Sequence, residues 1–151
     1  MRIVLQRVRR SAVEVDGVTT GLIGTGLLAL VGVAAGDTAA DARIAAAKTV
    51  AMRIFPDEEG KMNRSVADIG GAVLVVPQFT LLADVRKGRR PAFTGAAQPE
   101  EAIPVLEAFT ETIETEGVRV AHGRFGAHMD VDLLNDGPVT IVFDVRDGRI
   151  E

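Results

Sequence analysis

The sequence predicts an α+β fold in which a mostly antiparallel or mixed β-sheet curls toward a barrel and carries two helices. Many short apolar segments are separated by turn residues, two further segments have helical composition, and no linker or internal repeat divides the chain. A length of 151 residues favours a single domain, which we expect to span residues 1–151.

The N-terminal segments are predicted to be strands. Ile3 to Val8 and Ser11 to Val15 have strand length, and Asp16-Gly17 is predicted to close a hairpin because both residue types tolerate positive φ. Gly26 to Val33 is a continuous apolar run, which indicates a strand buried on both faces.

Two helices interrupt the strands. The first is predicted over the alanine-rich stretch from Ala42 to Met52, after Thr38-Ala39-Ala40-Asp41, which resembles a capping box. Pro99 and Pro104 bracket the start of the second helix, because proline is tolerated in a first turn. This helix should run to Glu116 and stop at Gly117.

The remaining segments are further strands and connections. The strands are predicted at Ala72 to Phe79, Val118 to Ala121, Met129 to Leu134 and Val139 to Asp144. Ala83 to Gln98 has no clear period and is predicted to be a long loop, and Val145 to Glu151 a polar C-terminal tail.

Composition limits the class of protein. The absence of cysteine excludes disulfides and thiolate metal sites and fits a reducing cytoplasm. The longest apolar run, Gly26 to Ala35, is too short to cross a bilayer, and the N-terminus does not resemble a signal peptide. We therefore expect a cytoplasmic protein with no membrane partner.

The charge balance bears on nucleic-acid binding. A net charge of -4 argues against broad contact with a nucleic-acid backbone, and no DNA partner is expected. One local basic patch is present, formed by Arg86, Lys87, Arg89 and Arg90. It is either a solvated loop or a set of phosphate contacts, for which arginine is well shaped.

Familiar catalytic and cofactor motifs are absent. Gly21-x-x-Gly24-x-Gly26 leads into a strand rather than a helix, so it is predicted to be a turn and not a phosphate loop. His122 and His128 lack the further ligands that a metal would need, and no serine lies in a G-x-S-x-G elbow. No metal or cofactor is expected.

Two short segments have ordinary structural interpretations. Gln78-Phe79-Thr80-Leu81 is predicted to end a strand with one hydroxyl pointing outward, shortly before the basic patch. Asn135-Asp136-Gly137-Pro138 is predicted to be a turn between two strands.

Taken together, the segments resemble the D-aminoacyl-tRNA deacylase family from Met1 to about Asp144. Several unrelated stretches occur in the same order, which is more specific than any single motif. The matching stretches are Val4-Leu5-Gln6-Arg7-Val8, Gly26-Leu27-Leu28, Arg53-Ile54-Phe55, Gly60-Lys61-Met62-Asn63, Gln78-Phe79-Thr80-Leu81, Lys87-Gly88-x-Arg90-Pro91, Gly123-Arg124-Phe125-Gly126-Ala127 and Asn135-Asp136-Gly137-Pro138-Val139-Thr140.

The resemblance implies an editing hydrolase that removes D-amino acids or glycine from tRNA and spares L-amino acids. It implies that Gln78 and Thr80 are catalytic residues and that Phe79 binds the substrate, in a pocket for the 3′-terminal adenosine and its amino acid. It also implies RNA-assisted catalysis, in which the enzyme positions the labile ester and a water molecule.

The resemblance further implies a homodimer with two sites at its interface. The Gly137-Pro138 pair, cis in the family, would project into the partner's pocket and reject L-side chains, and Arg7 would hold that pair in place. In a protein that acts on tRNA, the residues of the basic patch, Arg86, Lys87, Arg89 and Arg90, are the candidate contacts for tRNA phosphates.

One position departs from the family pattern. Pro77 stands where the family usually has serine, so a role for that hydroxyl is excluded. A related L-alanine-editing deacylase of animals resembles this chain in having proline at that position. That relative differs in having alanine where this chain has Phe79. Two other functions remain open: a Thr80-dependent esterase for another small ester, and a non-catalytic dimeric module that binds RNA 3′ ends through Arg86 to Arg90.

Overall fold

A computed structural model describes residues 1–151 and confirms an α+β fold with two helices and a mixed sheet. The strands, helices and one 3-10 helix are β1 (Arg2–Val15), β2 (Val18–Ile23), β3 (Gly26–Gly32), α1 (Ala39–Ala51), β4 (Phe55–Pro56), β5 (Met62–Arg64), β6 (Ala72–Pro77), the 3-10 helix (Phe79–Leu82), α2 (Pro99–Thr115), β7 (Arg119–His122), β8 (Asp130–Arg146) and β9 (Arg149–Ile150). In the main sheet β7, β6, β3, β1, β8 and β9 lie side by side, and β2 also pairs with β1.

The sheet is mixed because parallel and antiparallel pairs meet at β3. β1 pairs antiparallel with β2, β3 and β8, whereas β6 pairs parallel with both β3 and β7. The first half of β1 lies between β3 and β8, and its second half lies between β2 and β8. β1 therefore pairs with β8 on one side and with β3 and then β2 on the other, and the sheet curls around it.

The prediction of two short strands at the N-terminus is wrong, since Arg2–Val15 is one strand. Arg9 and Arg10 interrupt the apolar pattern in the sequence, but both are exposed and the strand continues through them. The two strands predicted around Asn135 are likewise one strand, β8. The Asp16-Gly17 hairpin is confirmed, with φ of 51° and 76° at these residues.

β3 is buried on both faces, as its continuous apolar run predicts. Leu27, Ala29 and Val31 pack into the larger hydrophobic cluster beneath the helices, and Leu28 packs into a smaller cluster on the other face. Gly26 allows β3 and β6 to approach closely: a Cβ there would lie 1.9 Å from the Ala72 carbonyl oxygen.

The two helices cover one face of the sheet. The predicted capping box of α1 is confirmed, with the Thr38 N–H donating to the Asp41 carboxylate at 2.9 Å. The hydrogen bond from the Thr38 hydroxyl, and then that from the Gly148 N–H, hold the pKa of Asp41 below its ordinary value. α2 begins at Pro99 as predicted, but Pro104 lies inside the helix rather than at its start. Neither helix combines the length and apolar composition that crossing a membrane would require.

The polar tail predicted for residues 145–151 is instead part of the sheet. β8 continues to Arg146, and β9 pairs back on it through Val145↔Ile150. Val145 is fully buried in the core, which fixes the segment. Asp147 and Gly148 form the turn with φ of 49° and 73°, so this Asp-Gly pair is a hairpin signal that the prediction overlooked.

Candidate active site

The main candidate site is a cavity of about 540 Å³ beyond the end of β6. It lies between the 3-10 helix, the start of α2 and the segment that leads into β8, and 13 of its 19 lining residues are hydrophobic. Its polar side chains are Gln78, Gln98 and His128. A cavity of this size and composition suits a small organic ligand that is oriented by a few polar contacts.

The strand end at Pro77 places Gln78 and Phe79 in the wall of this cavity. Proline has no N–H to donate, so the ladder closes with the Gln78 N–H donating to the Val31 carbonyl at 2.8 Å. The chain then turns into the 3-10 helix. Phe79 is 56% exposed and packs edge-on against Phe93, with 5.1 Å between the ring centroids. An aromatic pair of one exposed and one half-buried ring therefore flanks the cavity.

Thr80 is exposed and does not line the cavity. Its hydroxyl oxygen accepts a hydrogen bond from the Gln78 side-chain amide, which is its only side-chain contact of this kind. An amide nitrogen cannot remove a proton, so this contact gives Thr80 no general base. The 3-10 ladder begins with the Leu81 N–H donating to the Gln78 carbonyl, so the N–H groups of Phe79 and Thr80 have no partner within that ladder.

The predicted basic patch forms the tip of a closed loop, residues 85–91, which we call the basic loop. Asp84 and Ala92 pair through two backbone hydrogen bonds of 2.7 and 2.9 Å at its base. Arg86 donates to both Asp84 carboxylate oxygens, at 2.9 and 2.6 Å, and these bonds lower the pKa of Asp84. Lys87, Arg89 and Arg90 are exposed and form no ion pair.

Residues 136–139 form a bulge inside β8 rather than a turn between two strands; we call them the Gly-Pro bulge. Gln6 pairs with Thr140 and Val8 with Asn135, so Arg7 alone lies opposite these four residues. The extra residues leave the ladder and bend outward. Gly137 and Pro138 are both exposed, and the peptide bond between them is cis.

Arg7 connects the Gly-Pro bulge to the body of the protein. Its Nε donates to the Asp136 carbonyl at 3.0 Å, and one terminal nitrogen donates to the Ile54 carbonyl at 2.6 Å. The side chain is only 11% exposed. A largely buried guanidinium with two backbone acceptors fixes the position of the bulge.

A single chain does not bring the bulge and the cavity together. Gln78 and Phe79 line the cavity, whereas neither Gly137 nor Pro138 does. The residues that the sequence resemblance groups into one site therefore occupy two separate places in the chain.

Several residues of the cavity wall were not predicted as site residues. No local motif marks three of them: Phe93 in a loop, Gln98 just before α2, and Met129 just before β8. Phe125 lies in the Gly123-to-Ala127 stretch that supports the family resemblance, and this was the one signal that pointed to it. His128 lies at the cavity rim, 95% exposed and 3.8 Å from Asp130, and His122 lines a separate cavity of about 230 Å³.

Solved structures share this fold. One, described as the c-Myc DNA Unwinding Element Binding Protein, superposes with a TM-score of 0.90 at 37% identity and covers 97% of this chain and 99% of its own. Another, described as a probable eukaryotic D-amino acid tRNA deacylase, has a TM-score of 0.81 at 21% identity, with 95% and 98% covered. The second likeness concerns the fold alone.

Sequence comparison identifies the family. The family model described as D-Tyr-tRNA(Tyr) deacylase matches residues 4–144, and the chain belongs to this family. A D-aminoacyl-tRNA deacylase of Thermomicrobium roseum is 58% identical over 99% of this chain and 97% of the relative. One of Deinococcus radiodurans is 53% identical over 96% of this chain and 100% of the relative.

Proposed function

We propose that this chain hydrolyses the ester bond that joins a D-amino acid, or glycine, to the 3′-terminal adenosine of tRNA. Membership of the deacylase family supports the reaction. The observation that carries the proposal is the cavity beyond β6, which has Gln78 and Phe79 in its wall and room for a nucleoside. We place this activity in the cytoplasm, where aminoacyl-tRNA is used.

We propose that the chemistry is RNA-assisted. Water attacks the ester carbonyl, the bond to the ribose oxygen breaks, and the products are the free amino acid and the tRNA 3′ end. The vicinal 2′-hydroxyl makes this ester labile, so the protein needs only to orient it and stabilise the oxyanion. The N–H group of Phe79, a residue of the cavity wall, is a donor that can serve that purpose. Gln78 then orients the substrate beside it.

We propose that a second copy of the chain completes the site. Gly137 and Pro138 are exposed, and Arg7 donates to the carbonyl of the neighbouring Asp136, yet neither residue lines the cavity of its own chain. In a homodimer, Gly137 and Pro138 would enter the partner's cavity and lie against the α-carbon of the amino acid. A backbone segment at that place excludes an L-side chain and leaves room for a D-side chain or for glycine.

The direct test compares matched substrates. We expect rapid release of amino acid from D-tyrosyl-tRNA and glycyl-tRNA and little release from L-tyrosyl-tRNA. Replacing the terminal 2′-hydroxyl with hydrogen, with the amino acid attached through the 3′-oxygen, should slow hydrolysis strongly. Equal rates on D- and L-tyrosyl-tRNA would contradict the selectivity, and an unchanged rate without the 2′-hydroxyl would contradict RNA assistance.

Thr80→Ala is expected to retain substantial activity, within roughly tenfold of the wild-type kcat, because the Thr80 hydroxyl has no base beside it. Single-turnover hydrolysis of D-tyrosyl-tRNA measures this effect. If Thr80 were a nucleophile, its loss would cost on the order of 10⁴-fold or more. A variant that folds and binds tRNA but has no turnover would favour the Thr80-dependent esterase instead.

Replacing both Arg89 and Arg90 with alanine is expected to weaken tRNA binding and to flatten its dependence on salt. Both are exposed cations without an acidic partner, so each can release a counterion on contact with a phosphate. Arg86→Ala is the matched control, because Asp84 already engages that guanidinium. Unchanged affinity and slope in the double variant would make the basic loop a solvated surface.

Comparing tRNA affinity from this titration with the measured release of amino acid separates catalysis from simple binding. A non-catalytic module that binds RNA 3′ ends would show the affinity without releasing amino acid. We propose tRNA rather than DNA as the nucleic-acid partner, since a short basic loop is suited to a single-stranded end and not to a long duplex.

A further inference from the structure

Asn135 replaces the hydrogen bonds that the Gly-Pro bulge removes from the sheet. Its side-chain amide donates to the Arg7 carbonyl at 2.9 Å and to the Val139 carbonyl at 3.0 Å. Arg7 lies on β1 opposite the bulge, and Val139 is the last residue of the bulge on β8. Neither Arg7 nor Val139 has a paired partner in the register between β1 and β8, so their carbonyls lie at the interrupted part of the ladder.

The geometry of the amide group suits this position. A primary amide nitrogen carries two hydrogens at a fixed angle, so one side chain can join both carbonyls across the base of the bulge. Aspartate has the same size but only accepts hydrogen bonds, and serine can donate only one. Asn135 is half-buried, so a carbonyl left without its donor would not be fully compensated by water.

We propose that Asn135 is a positioning residue that sets how far Gly137 and Pro138 reach into the partner's cavity. It would thereby determine the preference for D- over L-aminoacyl esters. Asn135 itself contacts no substrate and acts through the bulge. This inference rests on the proposed function, in which the bulge of one chain selects the substrate of the other.

The experiment compares Asn135→Asp and Asn135→Ser with the wild type. The matched control is Gln6→Ala, which removes a side-chain hydrogen bond of 3.2 Å to Thr140 between the same two strands, next to the bulge. Initial rates on D-tyrosyl-tRNA and L-tyrosyl-tRNA give the D-to-L ratio, and thermal unfolding gives Tm for each variant.

We expect the D-to-L ratio to fall roughly tenfold in Asn135→Asp and about threefold in Asn135→Ser, in proportion to the donors lost. Gln6→Ala should keep the wild-type ratio. If both Asn135 variants keep the ratio within about twofold of the wild type while Tm falls, Asn135 has only a structural role and the inference is overturned. If Asn135→Asp does not fold, the ratio in Asn135→Ser decides in the same way.

The D-to-L ratio of the wild type distinguishes a failure of the proposed function from a failure of the inference about Asn135. A wild-type chain without a preference for D-tyrosyl-tRNA overturns the proposed selectivity, and the inference fails with it. A clear wild-type preference that the Asn135 variants retain overturns the inference alone.

Discussion

Gly137→Ala is expected to lower the hydrolysis of D-tyrosyl-tRNA by about 100-fold or more, because the Gly-Pro bulge cannot keep its backbone path. Gly137 has φ of +140°, which L-residues rarely adopt. A Cβ there would lie 2.7 Å from Val139 Cγ2 and 2.8 Å from the Val139 nitrogen. The second contact is with backbone and cannot be relieved by a side-chain rotation, so the bulge itself must move.

The overall fold should survive this change, because Gly137 and Pro138 are exposed and belong to neither hydrophobic cluster. Gly17→Ala is the matched control: Gly17 also has positive φ, +76°, but a Cβ added there would meet nothing within 4 Å. That variant should lose about 1 kcal/mol of stability and keep its activity. If Gly137→Ala folds and hydrolyses D-tyrosyl-tRNA at the wild-type rate, the Gly-Pro bulge is not part of the proposed site.

Local physical rules predict the parts of the fold whose causes are local. The capping box at Thr38 and Asp41 and the continuous apolar run of β3 each depend on neighbouring residues, and both predictions are confirmed. The continuity of β1 through Arg9 and Arg10 depends on β8, which lies far away in the chain and pairs with β1 at Val8 and Arg10. No local pattern carries that information.

The residues of the candidate site also divide into those that a contiguous motif identifies and those that only the fold brings together. Gln78 and Phe79 were identified through the resemblance of a contiguous motif, and they line the cavity. Phe93, Gln98 and Met129 reach the same cavity only through folding. Asn135-Asp136-Gly137-Pro138 was predicted to be a turn, because Asn, Asp, Gly and Pro favour turns. The segment instead lies inside one strand, where Arg7 and Asn135 donate hydrogen bonds to backbone carbonyls across the bulge.

Arg7→Ala is expected to reduce D-tyrosyl-tRNA hydrolysis by roughly 100-fold and also to lower Tm, because it removes the donors of two carbonyls near the core. Arg7→Lys should recover little of the lost hydrolysis rate, since a single ammonium cannot reproduce the guanidinium fork that reaches both Asp136 and Ile54. Arg9→Ala is the control: Arg9 is 70% exposed and contacts the Asp136 carboxylate at 3.3 Å, while Arg7 Nε lies 3.4 Å from the other oxygen of that carboxylate. If the backbone contacts of Arg7 hold the Gly-Pro bulge, Arg9→Ala keeps its rate within about threefold. An equal loss in both variants would show that charge pairing with Asp136, and not the backbone brace, positions the bulge.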